Sequence, residues 1–130
     1  MKMSRYVHSP KAAAEGVWKD LEDGGRVKVA MLGNSAFEAA RDEAFKDYPD
    51  LNEVPTGVFR ERMAYVYANT VLLDWEGFEQ DDGTPILYTI DQAAEYMGND
   101  QYMEFQMHIF KLAKDYNNYR ATQRAIVGKS

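Results

Sequence analysis

The alternation of hydrophobic and polar residues predicts a β-hairpin near the N-terminus. Residues 17–21 and 27–31 each alternate with a period of two, and the turn Asp23-Gly24-Gly25 separates them. Period two on both sides of such a turn is typical of two antiparallel strands. Residues 1–15 have no period and contain Pro10, which predicts a loose N-terminal arm. We therefore expect residues 16–130 to form a single domain.

Helical periodicity replaces the alternation after the hairpin. Ser35 and Glu38 have capping-box spacing, which predicts a helix that stops before Pro49. From Phe59 to Leu73, apolar residues recur at spacings of 4-3-4-3. This pattern predicts a second, buried helix that extends into the sequence LLDW.

Two further helices are predicted after an acidic loop. Thr89 and Gln92 have capping-box spacing, and the short helix that they open should run through Met97 and end at Gly98. From Tyr102 to Ile126, hydrophobic residues, tyrosines and one glutamine repeat as 3-4-3-4-3-4-3. That repeat predicts a helix of about 26 residues, roughly 40 Å long at 1.5 Å per residue, capped by Asn99 or Asp100.

The face of the long predicted helix changes character along its length. Its first half consists of Phe, Ile and Leu, which suits a dry core, whereas Tyr116, Tyr119 and Gln123 are amphipathic. The second half is either a helix end that projects past a small core or a docking surface. The expected fold is thus mainly α: a small helical domain with an N-terminal β-hairpin and a long amphipathic C-terminal helix.

Composition narrows the class of protein. The chain has 130 residues, 45% of them hydrophobic, so one domain with its own core is expected. A formal charge of -6 and a pI near 4.9 argue against nucleic-acid binding through phosphate contacts. No cysteine is present for disulfides or thiolate chemistry. No apolar segment approaches a signal peptide or a membrane span, so we expect no membrane partner and a soluble protein of the cytoplasm.

The charges are unevenly distributed along the sequence. Residues 63–110 contain nine carboxylates and no Lys or Arg. The segment that follows carries five basic residues against Asp115 alone: Lys111, Lys114, Arg120, Arg124 and Lys129. This distribution fits a solvated surface, and it also fits copies that meet head to tail with opposite charge.

The acidic loop within LLDWEGFEQDDGTPILYT (residues 72–89) does not match a metal or catalytic motif. With Gly83 at position six of an EF-hand loop, Phe78 occupies position one, and Phe cannot bind calcium. His8 and His108 are isolated in the sequence. We therefore expect no cofactor, no metal and no enzymatic activity, and we interpret the loop as a tight turn at Asp82-Gly83 that Trp75 and Phe78 pin to the body.

A series of short motifs resembles one protein family over roughly residues 16–125. The motifs are, in order, Gly16-Val17-Trp18, Arg26 to Ala30, Gly33-Asn34, Leu73 to Gly77, Asp81 to Pro85, Tyr88-Thr89 and Asn118-Tyr119-Arg120. Their order resembles the tail assembly chaperones of long-tailed, siphovirus-type bacteriophages, in which a W-x-G, an acidic D-x-G-x-P turn and a late asparagine–aromatic–arginine are familiar features.

The resemblance implies a non-enzymatic role. Such chaperones coat the aggregation-prone tape-measure protein, recruit tail-tube subunits and are absent from the mature virion. Many are also made in a longer form by ribosomal frameshifting, and Gly128-Lys129 is compatible with a slippery codon run. The alternatives are a structural head-tail joining protein that is retained in the virion, or an acidic regulator that neutralises a basic partner.

Coating a long helical client would require self-association, and we place it on the two charged segments. Tyr116, Tyr119, Arg120 and Arg124 form one predicted surface, and Glu79, Asp81 and Asp82 form the other. A head-to-tail contact between them would generate an open spiral when its rotation does not close. The acids of the loop could equally serve as solubility charges.

Overall fold

A computed structural model describes residues 1–121 of the chain. In this part of the chain, five α-helices and three β-strands are joined by short 3₁₀ helices. The α-helices are α1 (Pro10–Glu15), α2 (Ser35–Ala44), α3 (Thr56–Thr70), α4 (Ile90–Gly98) and α5 (Met103–Lys114). The strands are β1 (Val17–Asp20), β2 (Arg26–Val29) and β3 (Leu72–Glu76), and the 3₁₀ helices are Met3–Tyr6, Leu51–Glu53, Asp100–Tyr102 and Tyr116–Tyr119.

The strands form an antiparallel sheet in the order β1-β2-β3. The predicted hairpin is confirmed, because β1 and β2 pair from Val17↔Val29 to Asp20↔Arg26. The prediction that residues 72 and 73 continue the preceding helix is wrong. The chain leaves helical geometry at Val71, and β3 pairs with β2 through Val27↔Trp75. The fold is therefore a mixture of helices and sheet, and the expected mainly α class is wrong.

The predicted long C-terminal helix is also absent from the described residues. Helix α5 ends at Lys114, and Asp115 is extended. The 3₁₀ helix Tyr116–Tyr119 then brings Tyr119, which has no exposed surface, into the core. Its hydroxyl donates a hydrogen bond to the Val29 carbonyl oxygen at 3.0 Å. This tertiary anchor overrides the helical repeat of the sequence, whose last part lies outside the described residues.

The N-terminal residues are more ordered than predicted. Residues 10–15 form α1, and Ala12 and Ala13 are buried with Met31 and Tyr119. The backbone N–H of Ser9 donates to the Tyr119 carbonyl at 2.7 Å, and that of Met31 donates to Ala13 at 2.8 Å. The expected loose arm is therefore wrong for this half of the segment, which packs beside β2.

Asn34 joins α2 to two other segments. Its side-chain oxygen accepts the Phe37 N–H at 3.0 Å and caps α2, a role that the sequence pattern assigned to Ser35. Its amide nitrogen donates to the carbonyl oxygens of Met31 and Thr70 at 2.7 and 3.0 Å. A buried amide with all of these partners fixes the end of α3 against the start of α2.

Helix α4 follows the sequence prediction closely. It begins after Thr89, whose hydroxyl accepts the Gln92 N–H at 3.0 Å, and it ends at Gly98. The helix packs on α3 through small side chains, because a Cβ atom added to Gly98 would lie 2.8 Å from the Ala64 Cβ. Such close packing holds α4 against α3 and positions the aromatic residues that follow.

Candidate functional site

The acidic loop is a narrow turn that projects from β3. The Gln80 N–H donates to the Thr84 carbonyl and the Ile86 N–H to the Phe78 carbonyl, both at 2.8 Å. Gly83 closes the turn with φ +86°, a conformation that favours glycine. The predicted turn at Asp82-Gly83 is therefore confirmed, and the side chains of residues 79–82 remain exposed.

Trp75 attaches this turn to the body of the domain. Its ring stacks on Phe78 with centroids 4.8 Å apart and an angle of 7° between planes. Its indole N–H donates to the Ile86 carbonyl oxygen at 2.8 Å. The indole thus holds both sides of the turn, as the sequence predicted for Trp75 and Phe78.

A continuous surface depression, here called the acidic groove, runs between this turn, the β1–β2 turn and α5. Its central cleft, about 290 Å³, adjoins a cleft of about 630 Å³ at the acidic loop and one of about 770 Å³ along α5. The three clefts share lining residues, so they form one surface. The floor of the groove is apolar and aromatic: Leu21, Phe78, Ile86, Tyr96, Tyr102 and Phe105.

Carboxylates dominate the two ends of the acidic groove. Glu79, Asp81 and Asp82 line one end, and Glu22, Asp23 and Glu104 line the other, together with Lys111 and His108. Six carboxylates and one lysine give a net charge of -5, compared with -6 for the whole chain. The acidity of the protein is therefore concentrated at this surface.

These six carboxylates form no ion pairs within residues 1–121. The ion pairs of this part of the chain use other acids, namely Asp20, Asp42, Glu43, Asp47, Glu76 and Asp100. At Asp82, hydrogen bonds from the side chain and backbone of Thr84 hold the pKa of the carboxyl below its ordinary value. The acidic groove therefore presents negative charge that the described fold does not neutralise.

The residues of the two predicted interaction surfaces differ in their surroundings. Glu79, Asp81 and Asp82 come together at one end of the acidic groove. Tyr116 is 64% exposed, but Tyr119 is completely buried and presents no surface. Arg120 donates through Nε to Asn117 at 2.8 Å and through Nη1 to the Arg5 carbonyl, so it holds the N-terminal segment. Arg124 lies outside the described residues.

Sequence reasoning missed the floor of the acidic groove and its second acidic end. The floor residues come from five segments that only the fold brings together, namely the β1–β2 turn, the acidic loop, α4, the 3₁₀ helix Asp100–Tyr102 and the start of α5. Glu104 falls within the stretch of 48 residues, 63–110, that has no Lys or Arg. This stretch without Lys or Arg was the feature of the sequence that indicated an acidic surface, although it did not show which of its acids lie together.

A second cleft lies between α2 and α3 and has a volume of about 680 Å³. Its Arg62 donates to Asp47 at 2.6 Å and to the Ala44 carbonyl at 2.9 Å. Its Glu43 pairs with Lys46 at 2.6 Å. Because Arg62 and Glu43 are paired within the chain, this cleft offers a partner less uncompensated charge than the acidic groove does.

Other kinds of site receive no support from residues 1–121. Within that range, His, Asp and Glu form no group of three or more that could hold a metal ion. Among the helices described there, none has the length and apolar character needed to cross a membrane.

The described fold is a small mixed α/β domain with an open acidic groove, and the comparisons identify its origin. The chain belongs to the YdaY prophage protein family, whose model matches residues 32–129, about three quarters of the sequence. The phage origin that the motifs implied is thereby confirmed. The match begins after the hairpin, so Leu21, Glu22 and Asp23 of the acidic groove precede it. The chain matches no curated protein and no solved structure.

Proposed function

We propose that this prophage protein is a non-enzymatic chaperone of phage tail assembly that coats the tape-measure protein and keeps it soluble. The acidic groove is the observation that carries the proposal. It offers an aromatic floor and unneutralised charge to a client, as binding surfaces do when apolar anchors are combined with a polar rim. The phage family and the ordered motifs of residues 16–125 support the same role.

The proposal includes two further partners. Copies of the chain would associate head to tail along the client, and the tail-tube protein would be recruited to the coat, through a frameshifted longer form if one is made. Of the residues predicted for self-association, exposed Tyr116 and the acids of the loop are available at the surface. The protein would act in the host cytoplasm and would be absent from the mature virion.

The test is affinity purification of the tagged chain from cells that produce its native phage, with mass spectrometry of purified virions in parallel. We expect the tape-measure protein to co-purify and the chain to be missing from virions. A tagged, unrelated acidic protein of similar charge controls for nonspecific capture. Stoichiometric retention in virions would contradict the proposal and indicate the alternative, a structural head-tail joint.

A further inference from the structure

We propose that the acidic groove is the docking site for an amphipathic helix of a partner protein, with an apolar centre and Lys or Arg residues at both ends. This inference rests on the proposed chaperone function and specifies the client segment that the chaperone would bind. It follows from the order of surfaces along the groove, which runs from acidic to apolar to acidic. A segment with the order basic, apolar, basic is complementary to it.

The floor of the groove is preorganised by contacts among its own aromatic rings. Phe105 lies edge-to-face against Phe78 and Tyr96, in both cases with centroids 5.9 Å apart. Tyr96 contacts Tyr102 in the same way at 4.8 Å. Rings that already support one another lose little conformational freedom on binding. The floor can therefore accept apolar side chains at a small entropic cost.

The apolar floor favours a helix over an extended peptide. A helix satisfies its own backbone hydrogen bonds, whereas an extended segment must find partners for its N–H and C=O groups when it is desolvated. The polar side-chain groups on the floor are the hydroxyls of Tyr96 and Tyr102. Helical anchors at i, i+3, i+4 and i+7 would instead meet the rings directly. Exposed Met107, at the α5 end of the groove, adds a flexible side chain that adapts to different anchors.

The charges favour a different protein as the occupant over a second copy of this chain. Lys111 already lines the groove, and Arg120 is engaged with Asn117 and Arg5. Between positions 111 and 121, the only other basic side chain is that of Lys114, which lies outside the groove. A client helix with basic residues at both ends would neutralise both acidic ends at once.

The experiment uses a labelled synthetic peptide of about 18 residues, five helical turns, with Leu and Phe on one face and Lys at both ends. Two matched peptides replace Lys with Glu or shuffle the apolar spacing. Binding to the full chain is measured by fluorescence anisotropy over a salt series. We expect binding of the Lys peptide to weaken as salt rises, and the other two peptides to bind at least about tenfold more weakly.

Paired variants of the protein locate the peptide. Glu79→Lys with Glu104→Lys reverses one acid at each end of the groove, and it should weaken binding about tenfold or more. Asp42→Lys with Glu61→Lys makes the same charge change on α2 and α3, away from the groove, and should have a much smaller effect. Circular dichroism checks that both variants are folded. Equal binding by the two paired variants, or displacement of the peptide by a second copy of the chain, would overturn the assignment.

The same variants separate this inference from the chaperone proposal. If the Glu79→Lys, Glu104→Lys variant recovers the tape-measure protein as well as the unaltered chain does, the chaperone role stands and the groove assignment is overturned. If the Lys peptide binds the groove but the unaltered chain recovers no tape-measure protein, the groove assignment stands and the chaperone role fails.

Discussion

Tyrosine hydroxyls join segments that are distant in the sequence. The hydroxyl of Tyr88 lies 2.8 and 2.9 Å from the carbonyl oxygens of Ala68 and Leu72, which share its single proton, and so it ties the start of α4 to the α3–β3 junction. Tyr119 makes the equivalent bond to Val29. Burial raises the pKa of both phenols, that of Tyr88 to about 12. Because a phenolate could not donate these bonds, the structure depends on both tyrosines remaining protonated.

The raised pKa of Tyr88 predicts a loss of stability in alkali. Below pH 10 the phenol is protonated in both states; between pH 10 and about 12 it ionises in the unfolded chain but not in the folded one. The free energy of unfolding should therefore be insensitive to this group below pH 10 and fall above it. Urea denaturation of Tyr88→Phe should show a shallower fall, with the exposed Tyr116→Phe as the control. Identical pH profiles for all three proteins would contradict the prediction.

At the scale of elements, the sequence correctly predicted the helices and strands that are determined by nearby residues. The hairpin follows from a turn with alternation on both sides, and α4 follows from the Thr89 cap and Gly98. Strand β3 was missed because its Leu72, Leu73 and Trp75 continue the apolar run of α3 without a Gly or Pro at the junction. The break at Val71 is supported by pairing with β2, which lies more than 40 residues earlier. Contacts of that kind leave no local mark on the sequence.

The packing of α3 on α4 predicts that a substitution with better helix propensity destabilises the protein. Gly98→Ala gains about 1 kcal/mol in propensity, but its Cβ would approach the Ala64 Cβ to 2.8 Å. Overpacking costs about 1–3 kcal/mol, so a net loss is expected. Adding Ala64→Gly removes the clash, so the double mutant should be more stable than the two single losses predict. If the changes in the free energy of unfolding were strictly additive in a double-mutant cycle, the predicted clash between α3 and α4 would be contradicted.

The Tyr119 anchor predicts a coupled change at the two ends of the described chain. Tyr119→Ala removes the ring that covers Ala12 and Ala13, so residues 1–15 should become more sensitive to limited proteolysis. It also removes the restraint that interrupts the helical repeat, so far-UV circular dichroism should show equal or greater helix content despite lower stability. Tyr116→Ala, at an exposed site, should change neither readout. Protection of the N-terminal residues in Tyr119→Ala would show that α1 docks without the anchor.

At the scale of the whole molecule, the charges are divided between one acidic surface and a basic segment. The sequence revealed the imbalance but not its geometry, because Glu22 and Asp23 join the later acids only through the fold. The helical repeat likewise offered Tyr116 and Tyr119 as a docking surface, whereas the structure places Tyr119 in the core and Tyr102 in the groove. The chemistry of the candidate site was therefore partly predictable, and its floor was not.

In the absence of a client in the acidic groove, copies that associate through these opposite charges should assemble in a salt-dependent way. Reversing Arg120 and Arg124 to Glu should lower the sedimentation coefficient of assemblies at low salt, and added salt should have the same effect on the unaltered chain. Arg124→Glu alone is the sharper variant, because Arg120 also bonds to Arg5 and Asn117. Reversing Asp42 and Glu61 to Lys serves as the control. Assemblies that are unaffected by both salt and Arg124→Glu would place self-association elsewhere.

The Tyr119 anchor has a consequence for how the chain folds as it is made. The tyrosine and its carbonyl partner Val29 are separated by 90 residues. At synthesis rates of about 5–20 residues per second, Val29 is added to the growing chain roughly 5–20 s before the tyrosine. During that interval Ala12, Ala13 and Met31 lack the ring that covers them in the finished domain. The core around Tyr119 can therefore form only after residue 119 has been synthesised, and a slowly translated codon before that position would delay its formation.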